Sequence, residues 1–255
     1  MLKVKYTIWT AFLILGLLLI CEPFIYISIW WYVLLFSIVF WVILIGSFSM
    51  SWGLFLKAFT RNPRTTMKKI AITFDDGPNP QFTHIVLQLL RDYNARASFF
   101  CIGNHVMKNP ELLKQIAADG HNIGNHSYSH SMSIDFKSTE GWLQELKDTD
   151  EAIFKVLGSK SNLFRPPFGV TTPHLAKALK VTGHRVIGWN IRSFDMAFKN
   201  PEIILWRVQK RVQPGGIILL HDAHENIAIV LEQLLQFLKK QDYQMVTIKE
   251  LLDDK

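Results

Sequence analysis

Residues 69–80 read KIAITFDDGPNP: an apolar run, two adjacent carboxylates, then an immediate turn. Lys69 to Phe74 has the length and apolar character of a buried strand, and Gly77-Pro78 ends it. Asp75 and Asp76 stand side by side, where each raises the cost of ionising the other, so something nearby is expected to absorb their charge. A strand followed by an Asp-Gly-Pro turn accounts for Asp76 and Gly77 but gives Asp75 no use.

Downstream of Thr65, short apolar runs alternate with stretches of helical periodicity, the signature of repeated β-α units around a parallel sheet. The runs predict strands over Lys69 to Phe74, Ala97 to Ile102, Asn122 to Gly124, Leu163 to Arg165, Arg185 to Trp189, Gly216 to Leu220 and Gln244 to Val246. Helices are predicted near 82–93, 109–119, 139–157, 173–182, 201–212 and 226–240. Seven strands with intervening helices fit either a closed barrel or an open doubly wound sheet. FDDGP, NHSYSH, FRPPFG and LLHD all begin at or just beyond the C-terminal end of a strand, where β/α folds assemble their sites. Several strands contributing to one rim favours a barrel.

His126 and His130 lie four residues apart, a spacing that shares a face on a helical turn and suits a divalent metal. Two imidazoles and one carboxylate make a three-ligand site with an open position. The second carboxylate is then free to take a proton from an attacking water, and the cation offsets the repulsion between the two.

In this order, TFDDGP, HSYSH, RPPFG and LLHD resemble the signature motifs of the polysaccharide deacetylase family, also called the NodB-homology domain or carbohydrate esterase family four. The resemblance runs from about Lys69 to Leu251. It implies an α/β fold, a distorted (β/α) barrel. It implies Asp75 as general base, with Asp76, His126 and His130 holding one divalent metal, most commonly zinc and in some members cobalt, nickel or iron. Arg165 would orient and tune Asp75. Pro167, Phe168 and Gly169 would line the substrate groove, with the Phe168 backbone N–H stabilising the oxyanion, and His221 would protonate the leaving amine.

The fourth family motif commonly reads Asp-x-x-Asp-Trp after a strand Trp. Here WNIRSFDM (189–196) keeps Trp189 and Asp195 but has Arg192 at the first Asp position and Met196 at the final Trp. Asp195 is left as the candidate orienter of His221, and Phe168 stands where Tyr is frequent. These departures predict an altered substrate preference or a retuned His221. His84, His105, His121, His174, His184 and His224 carry no comparable motif and are assigned packing or surface roles. His121, which opens the strand leading to the metal loop, is the candidate support for that loop.

The first 60 residues differ in kind. From Ile8 to Leu56 the only side chain charged at neutral pH is Glu22. The apolar character runs well past the roughly 15 residues of a signal-peptide core. Its length and lack of charge also argue against buried helices of a soluble protein. Two spans, about 7–27 and 32–52, account for the stretch. Tyr6 and Trp9, then Tyr26 with Trp30, Trp31 and Tyr32, then Trp52 form three interfacial belts. Lys3 and Lys5 precede the pair, and Lys57, Arg61, Arg64, Lys68 and Lys69 follow it, which places both ends in the cytoplasm by the positive-inside rule. The expected organisation is a membrane anchor over 1–60 and a catalytic domain over 66–255, in a bacterial cytoplasmic membrane.

The net charge of +7 comes from scattered Lys and Arg, with no basic strip interleaved with aromatics, so a nucleic-acid partner is not expected. Cys21 and Cys101 lie in unlike contexts and are not read as a disulfide. The leading expectation is a metal-dependent hydrolase removing N-acetyl groups from an amino-sugar glycan: a polysaccharide, an oligosaccharide or peptidoglycan. The alternatives are a deacetylase or deformylase of a lipid-linked sugar, which an anchor would hold near the bilayer, and a non-catalytic, membrane-tethered glycan-binding module.

Overall fold

The computed structural model describes residues Leu2 to Asp254. In chain order the elements are α1 (Leu2–Cys21), α2 (Ile29–Phe48), β1 (Lys69–Asp75), α3 (Thr83–Asp92), β2 (Ala97–Cys101), α4 (Gly103–Lys108), α5 (Pro110–Ala118), β3 (Asn122–Asn125), α6 (Thr139–Leu157), β4 (Leu163–Phe164), α7 (Pro173–Thr182), β5 (Arg185–Val186), β6 (Ile191–Arg192), α8 (Pro201–Gln209), β7 (Gly216–His221), α9 (Ile227–Lys240), β8 (Gln244–Met245) and α10 (Ile248–Asp253).

The eight strands form one sheet in the order β5-β4-β3-β2-β1-β7-β6, with β8 paired to β1 off that path. Every ladder is parallel. β1 changes partner along its length: Lys69 and Ile70 pair with β8, whereas Ile72 to Asp75 pair with β2. Inserting β8 at the base of β1 distorts the barrel. The path ends at β5 and β6, and the chain between α2 and β1 reaches both flanks of that gap, with Phe59 bridging Ile187 and Arg61 bridging Gly216.

Strand alternation sorts the side chains onto two faces. Ile70, Ile72 and Phe74 of β1 and Ile218 and Leu220 of β7 pack with α3, α8 and α9 in the larger core. Ala71 and Ile217 turn into the barrel with Phe100, Leu163, Ile187, Val246, Ile248 and Leu251. Thr73 and Asp75 follow Ala71 on this inner face, as Leu219 and His221 follow Ile217. The catalytic candidates therefore stand at the C-terminal ends of central strands.

Helix ends follow local chemistry. α6 starts where Ser138 Oγ accepts from Gly141 N–H at 3.2 Å and stops at Gly158 with φ 66°. α7 starts on Thr172-Pro173 and stops at Gly183 with φ 73°. Both match their predicted bounds. β5 is shorter than predicted: Ile187 N–H closes its last ladder bond on Phe164 O, and Gly188 N–H then turns to Phe59 O. β6, α4 and α10 are too short to carry a periodic signal, and the sequence reading passed over them.

α1 and α2 begin before the predicted spans 7–27 and 32–52. Pro23 disfavours helix at Glu22 and ends α1 early, and the Ser28 side chain accepts from Trp30 N–H and starts α2 early. The two helices pack side by side and are long and apolar enough to cross a membrane. Their outward faces expose Trp9, Phe12, Trp30 and Phe40.

The end of α2 is joined to the barrel rim. Thr171 donates from N–H to Ser47 O at 2.9 Å and from Oγ1 at 3.3 Å. Met50 packs under Gly169 and Gly188, where added Cβ atoms would lie 3.6 and 3.1 Å from its methyl carbon. Leu54 and Phe55 bury against Ala176 of α7.

Candidate active site

Asp75 ends β1, buried, with its Cα in register with His221 of β7 and Phe100 of β2. Its Oδ1 accepts from Arg165 Nη1 at 2.7 Å. Arg165 is fully buried, so each of its donors must find a partner inside the protein. Nη1 also donates to Thr73 Oγ1 at 2.8 Å, Nε to Ile187 O at 3.2 Å and Nη2 to Gly188 O at 3.0 Å. Its guanidinium lies 4.1 Å from the Phe100 ring centroid. Groups on β1 and β2 and just past the ends of β4 and β5 thus hold one cation against one carboxylate.

Asp76 follows with φ 75°, outside the strand alternation that would send it to the opposite face, and both carboxylates approach His126, Asp75 Oδ2 lying 3.8 Å from its Nε2. Its Oδ1 sits 3.5 Å from His126 Nε2 and 3.3 Å from His130 Nε2. Burial alone would raise the Asp76 carboxyl, but the imidazoles of His126, His221 and His130 around it hold it well below the usual carboxylate range. Its Oδ1 is buried without a hydrogen-bond donor. One ligand atom from each of Asp76, His126 and His130 falls within a 4.8 Å cluster, the only such group of three found among the described residues.

The imidazoles reach this point from a loop. The predicted helical turn over 126–130 is not formed, because Ser127 and His130 adopt φ 64° and 46°. Each crook of the loop has a partner: Ser127 N–H donates to Asn125 Oδ1 at 2.9 Å and His130 N–H to Ser127 Oγ at 3.1 Å. Glu145 of α6 accepts from Tyr128 N–H at 2.9 Å, Ser129 N–H at 2.8 Å and Ser129 Oγ at 2.8 Å. His126 Nδ1 donates to Arg165 O at 2.8 Å, which leaves the Nε2 lone pair free. An orphaned buried carboxylate oxygen and a tautomer-fixed imidazole are what a divalent cation requires of its ligands, so the donor set fits one.

His221 stands across from Asp75. Asp195 accepts from His221 N–H at 2.7 Å and from Nδ1 at 2.9 Å, and also from Ser193 Oγ at 2.8 Å. Burial alone would lower the His221 imidazole, but its hydrogen bond to Asp195 and the charges of Asp195, Asp75 and Asp76 push it up to about 9. Asp195 itself is held well below the carboxylate range, because the hydrogen bonds from His221 and His224 outweigh burial.

Pro167, Phe168 and Gly169 form a tight turn with Phe168 at φ 55°. The Phe168 ring stands edge-on to His130 at 4.6 Å, and Gly169 lies so close to Trp189 that a Cβ would meet its ring at 2.6 Å. Phe168 N–H has no acceptor among the described residues.

Several positions carry roles the sequence reading did not give them. His224 Nε2 reaches Asp195 Oδ2 at 3.3 Å, and His105 Nδ1 donates to Asp76 O at 2.8 Å. His121 does not support the metal loop. Its Nδ1 accepts from Ala97 N–H at 3.2 Å at the opposite end of the sheet, where burial pushes its imidazole down to about 4. Asp222, fully buried, accepts from Thr83 Oγ1 and sits where a Cβ on Gly77 would fall 2.5 Å from its Oδ2. Burial pushes its carboxyl up to about 7. Tyr128 and Ser129, the partners of Glu145, and Thr83, the partner of Asp222, are remote from them in sequence, so no spacing reveals them.

A parallel barrel whose rim joins a carboxylate–arginine pair, an Asp-His-His cluster and a carboxylate-held histidine defines a hydrolase class by its parts. Residues 62–187 match the family described as Polysaccharide deacetylase. A Bacillus cereus protein named peptidoglycan-N-acetylglucosamine deacetylase is 40% identical, over 72% of this chain and 88% of its own length. The Listeria monocytogenes peptidoglycan-N-acetylglucosamine deacetylase PgdA is 36% identical over 74% of this chain, and the match spans only 40% of that protein. The solved structure of peptidoglycan deacetylase PdaC from Bacillus subtilis superposes with a TM-score of 0.69 at 34% identity, covering 74% of this chain and 91% of the other. The chain belongs to the polysaccharide deacetylase family.

Proposed function

We propose that this protein is a metal-dependent amidohydrolase that removes the N-acetyl group of an amino sugar in a glycan of the peptidoglycan type. The observation that carries the reading is the register pairing of Asp75 with His221, with the Asp76-His126-His130 cluster beside them.

Asp76, His126 and His130 would hold one divalent cation, zinc by preference for a nitrogen-rich set. Bound there, such an ion supplies Lewis acidity, polarising an acyl oxygen and easing deprotonation of water. Asp75, oriented by Arg165, takes the proton of the attacking water. The free N–H of Phe168 donates to the oxygen on which negative charge develops. His221, protonated because Asp195 holds it so, delivers a proton to the departing nitrogen. Base and acid enter from neighbouring strands, about 4.8 Å apart, and so address the same acyl group.

Acetate release from N-acetylglucosamine oligomers by the detergent-solubilised chain tests this reading. Wild type should release acetate, and Asp75→Asn and His221→Ala should each be strongly impaired. Equal rates in all three would refute the assignment.

A second reading is favoured by the contact of the rim with α2. We read α1 and α2 as a membrane hairpin anchoring the catalytic domain, with basic flanks that favour the cytoplasmic side. Thr171, two residues past Gly169, is bonded to Ser47 at the end of α2, so the groove would be held at the membrane surface. Such placement favours a lipid-linked amino sugar, acetylated or formylated, as substrate. Activity on the lipid-linked form at least tenfold above that on the free oligosaccharide would support it, and the reverse order would remove it.

A further inference from the structure

The most unusual side chain at the rim is Arg192. In β6 its Cα is paired with Leu219, while the preceding Ile191 packs into the outer core. Alternation therefore puts Arg192 on the inner face, shared with Leu219, His221 and Asp75. It is exposed, and among the described residues no carboxylate pairs with it.

Aromatic rings fix its position. Its guanidinium carbon lies 4.5 Å from the Phe194 ring centroid and 5.6 Å from that of Trp189. Trp189 in turn receives the buried Arg165 at 5.5 Å and touches Gly169 of the groove turn. Trp189 is thus a shared wall, with the base-holding arginine near one part of its surface and a free arginine near another. Phe194 is braced by a second cation, Arg207 of α8, at 4.5 Å. The Arg207 Nε is buried with no acceptor, and no carboxylate reaches its guanidinium among the described residues. Two unneutralised guanidinium groups about one ring make a site of positive potential next to the reaction centre, with a planar fork suited to an oxyanion.

We propose that Arg192, backed by Trp189, Phe194 and Arg207, is a specificity residue that binds an anionic substituent of the glycan, a carboxylate or a phosphate, next to the N-acetyl group being removed. The proposal rests on the deacetylase reading and narrows it: the preferred substrate carries negative charge close to the scissile amide. Two common sources of such an anion are the lactyl carboxylate of a muramic acid unit and the phosphate of a sugar phosphate or lipid-linked sugar.

The test compares three N-acetylated substrates: the neutral N-acetylglucosamine tetramer, the peptide-free tetrasaccharide alternating N-acetylglucosamine with N-acetylmuramic acid, and an N-acetylglucosamine oligomer bearing a terminal phosphate. For wild type, Arg192→Gln and Arg192→Lys, kcat/KM on each anionic substrate is divided by that on the neutral one. Dissociation constants of the same three ligands are measured on an Asp75→Asn background, where binding is read without turnover. Wild type should favour at least one anionic substrate, and which one identifies the source. Arg192→Gln should reduce that ratio about tenfold, mainly through KM, Arg192→Lys should recover part of it, and added salt should compress it. Equal ratios in wild type and Arg192→Gln, in rates and in dissociation constants, would overturn the proposal. Loss of binding to anionic vesicles in Arg192→Gln with the glycan ratio unchanged would also overturn it, assigning the guanidinium to lipid. No acetate from any substrate would refute the deacetylase reading, and the dissociation-constant ratio would still decide the role of Arg192.

Discussion

The two flanks of the rim are built on opposite principles. On the β1–β4 side the cation Arg165 is sealed from water and saturated with protein acceptors, so that Asp75 has one orientation. On the β6–β7 side it is the anion, Asp195, that is sealed, and the cationic imidazole it holds remains partly accessible. Arg192 completes the contrast, a guanidinium at the surface with no acid partner among the described residues. The difference matches the two roles proposed for them. A base can be held by a buried counter-ion, but a proton donor must stay reachable by the group it serves.

Removing the base should have the largest effect. Asp75→Asn should lower acetate release by about 10⁴-fold while leaving the Asp76-His126-His130 cluster able to take up one equivalent of metal, read by elemental analysis of the purified protein. Breaking the sealed pair from the other side should act on stability first. Arg165→Met leaves Asp75 buried and unpaired, and should cost about 3–5 kcal/mol, visible as a lowered thermal midpoint in detergent.

That pair was legible in the sequence because acidic and basic residues sat in recognisable motifs at strand ends. Its saturation was not, since the acceptors are the backbone carbonyls of Ile187 and Gly188, where β5 has already ended. Likewise the spacing of His126 and His130 disclosed a ligand pair but misjudged the path between them. The left-handed residues Ser127 and His130 are held by Asn125 and Ser127 itself, and the rest of the loop by Glu145 of α6. Bonds to a helix more than a dozen residues on leave no local pattern. Asp195 is read in the sequence as the orienter of His221, whereas its second contact, with His224, leaves no trace there because His224 carries no motif. Helices α6 and α7 were read to the residue because their caps are local.

Loop support gives an intermediate effect. Glu145→Ala should weaken metal affinity about 10–100-fold without touching a ligand, measured by competition with a chromogenic chelator. On the opposite flank, Asp195→Asn should move a pH limb. A general acid works when protonated, so wild-type activity should hold through neutrality and fall as pH rises through about 9, the value Asp195 gives His221. Without that counter-charge, burial of the imidazole is opposed less, and the alkaline limb should shift downward, towards the ordinary histidine value of 6.5. An unmoved limb would separate Asp195 from proton donation. The smallest effect is expected at the groove: Phe168→Tyr retains the backbone donor, and its kcat should stay within about tenfold of wild type, below the roughly 10²–10³ cost of losing an oxyanion donor.

The central claim is that one metal-loaded cluster and two strand-end groups act on a single acyl group. It is tested most directly by following acetate release from N-acetylglucosamine oligomers and from a lipid-linked amino sugar as bound metal is stripped by chelator and restored. Activity on at least one substrate that disappears with the metal and returns at one equivalent of zinc, with His126→Ala inactive throughout, is the predicted result. Acetate release that survives complete removal of metal, or that persists in His126→Ala, would contradict the account.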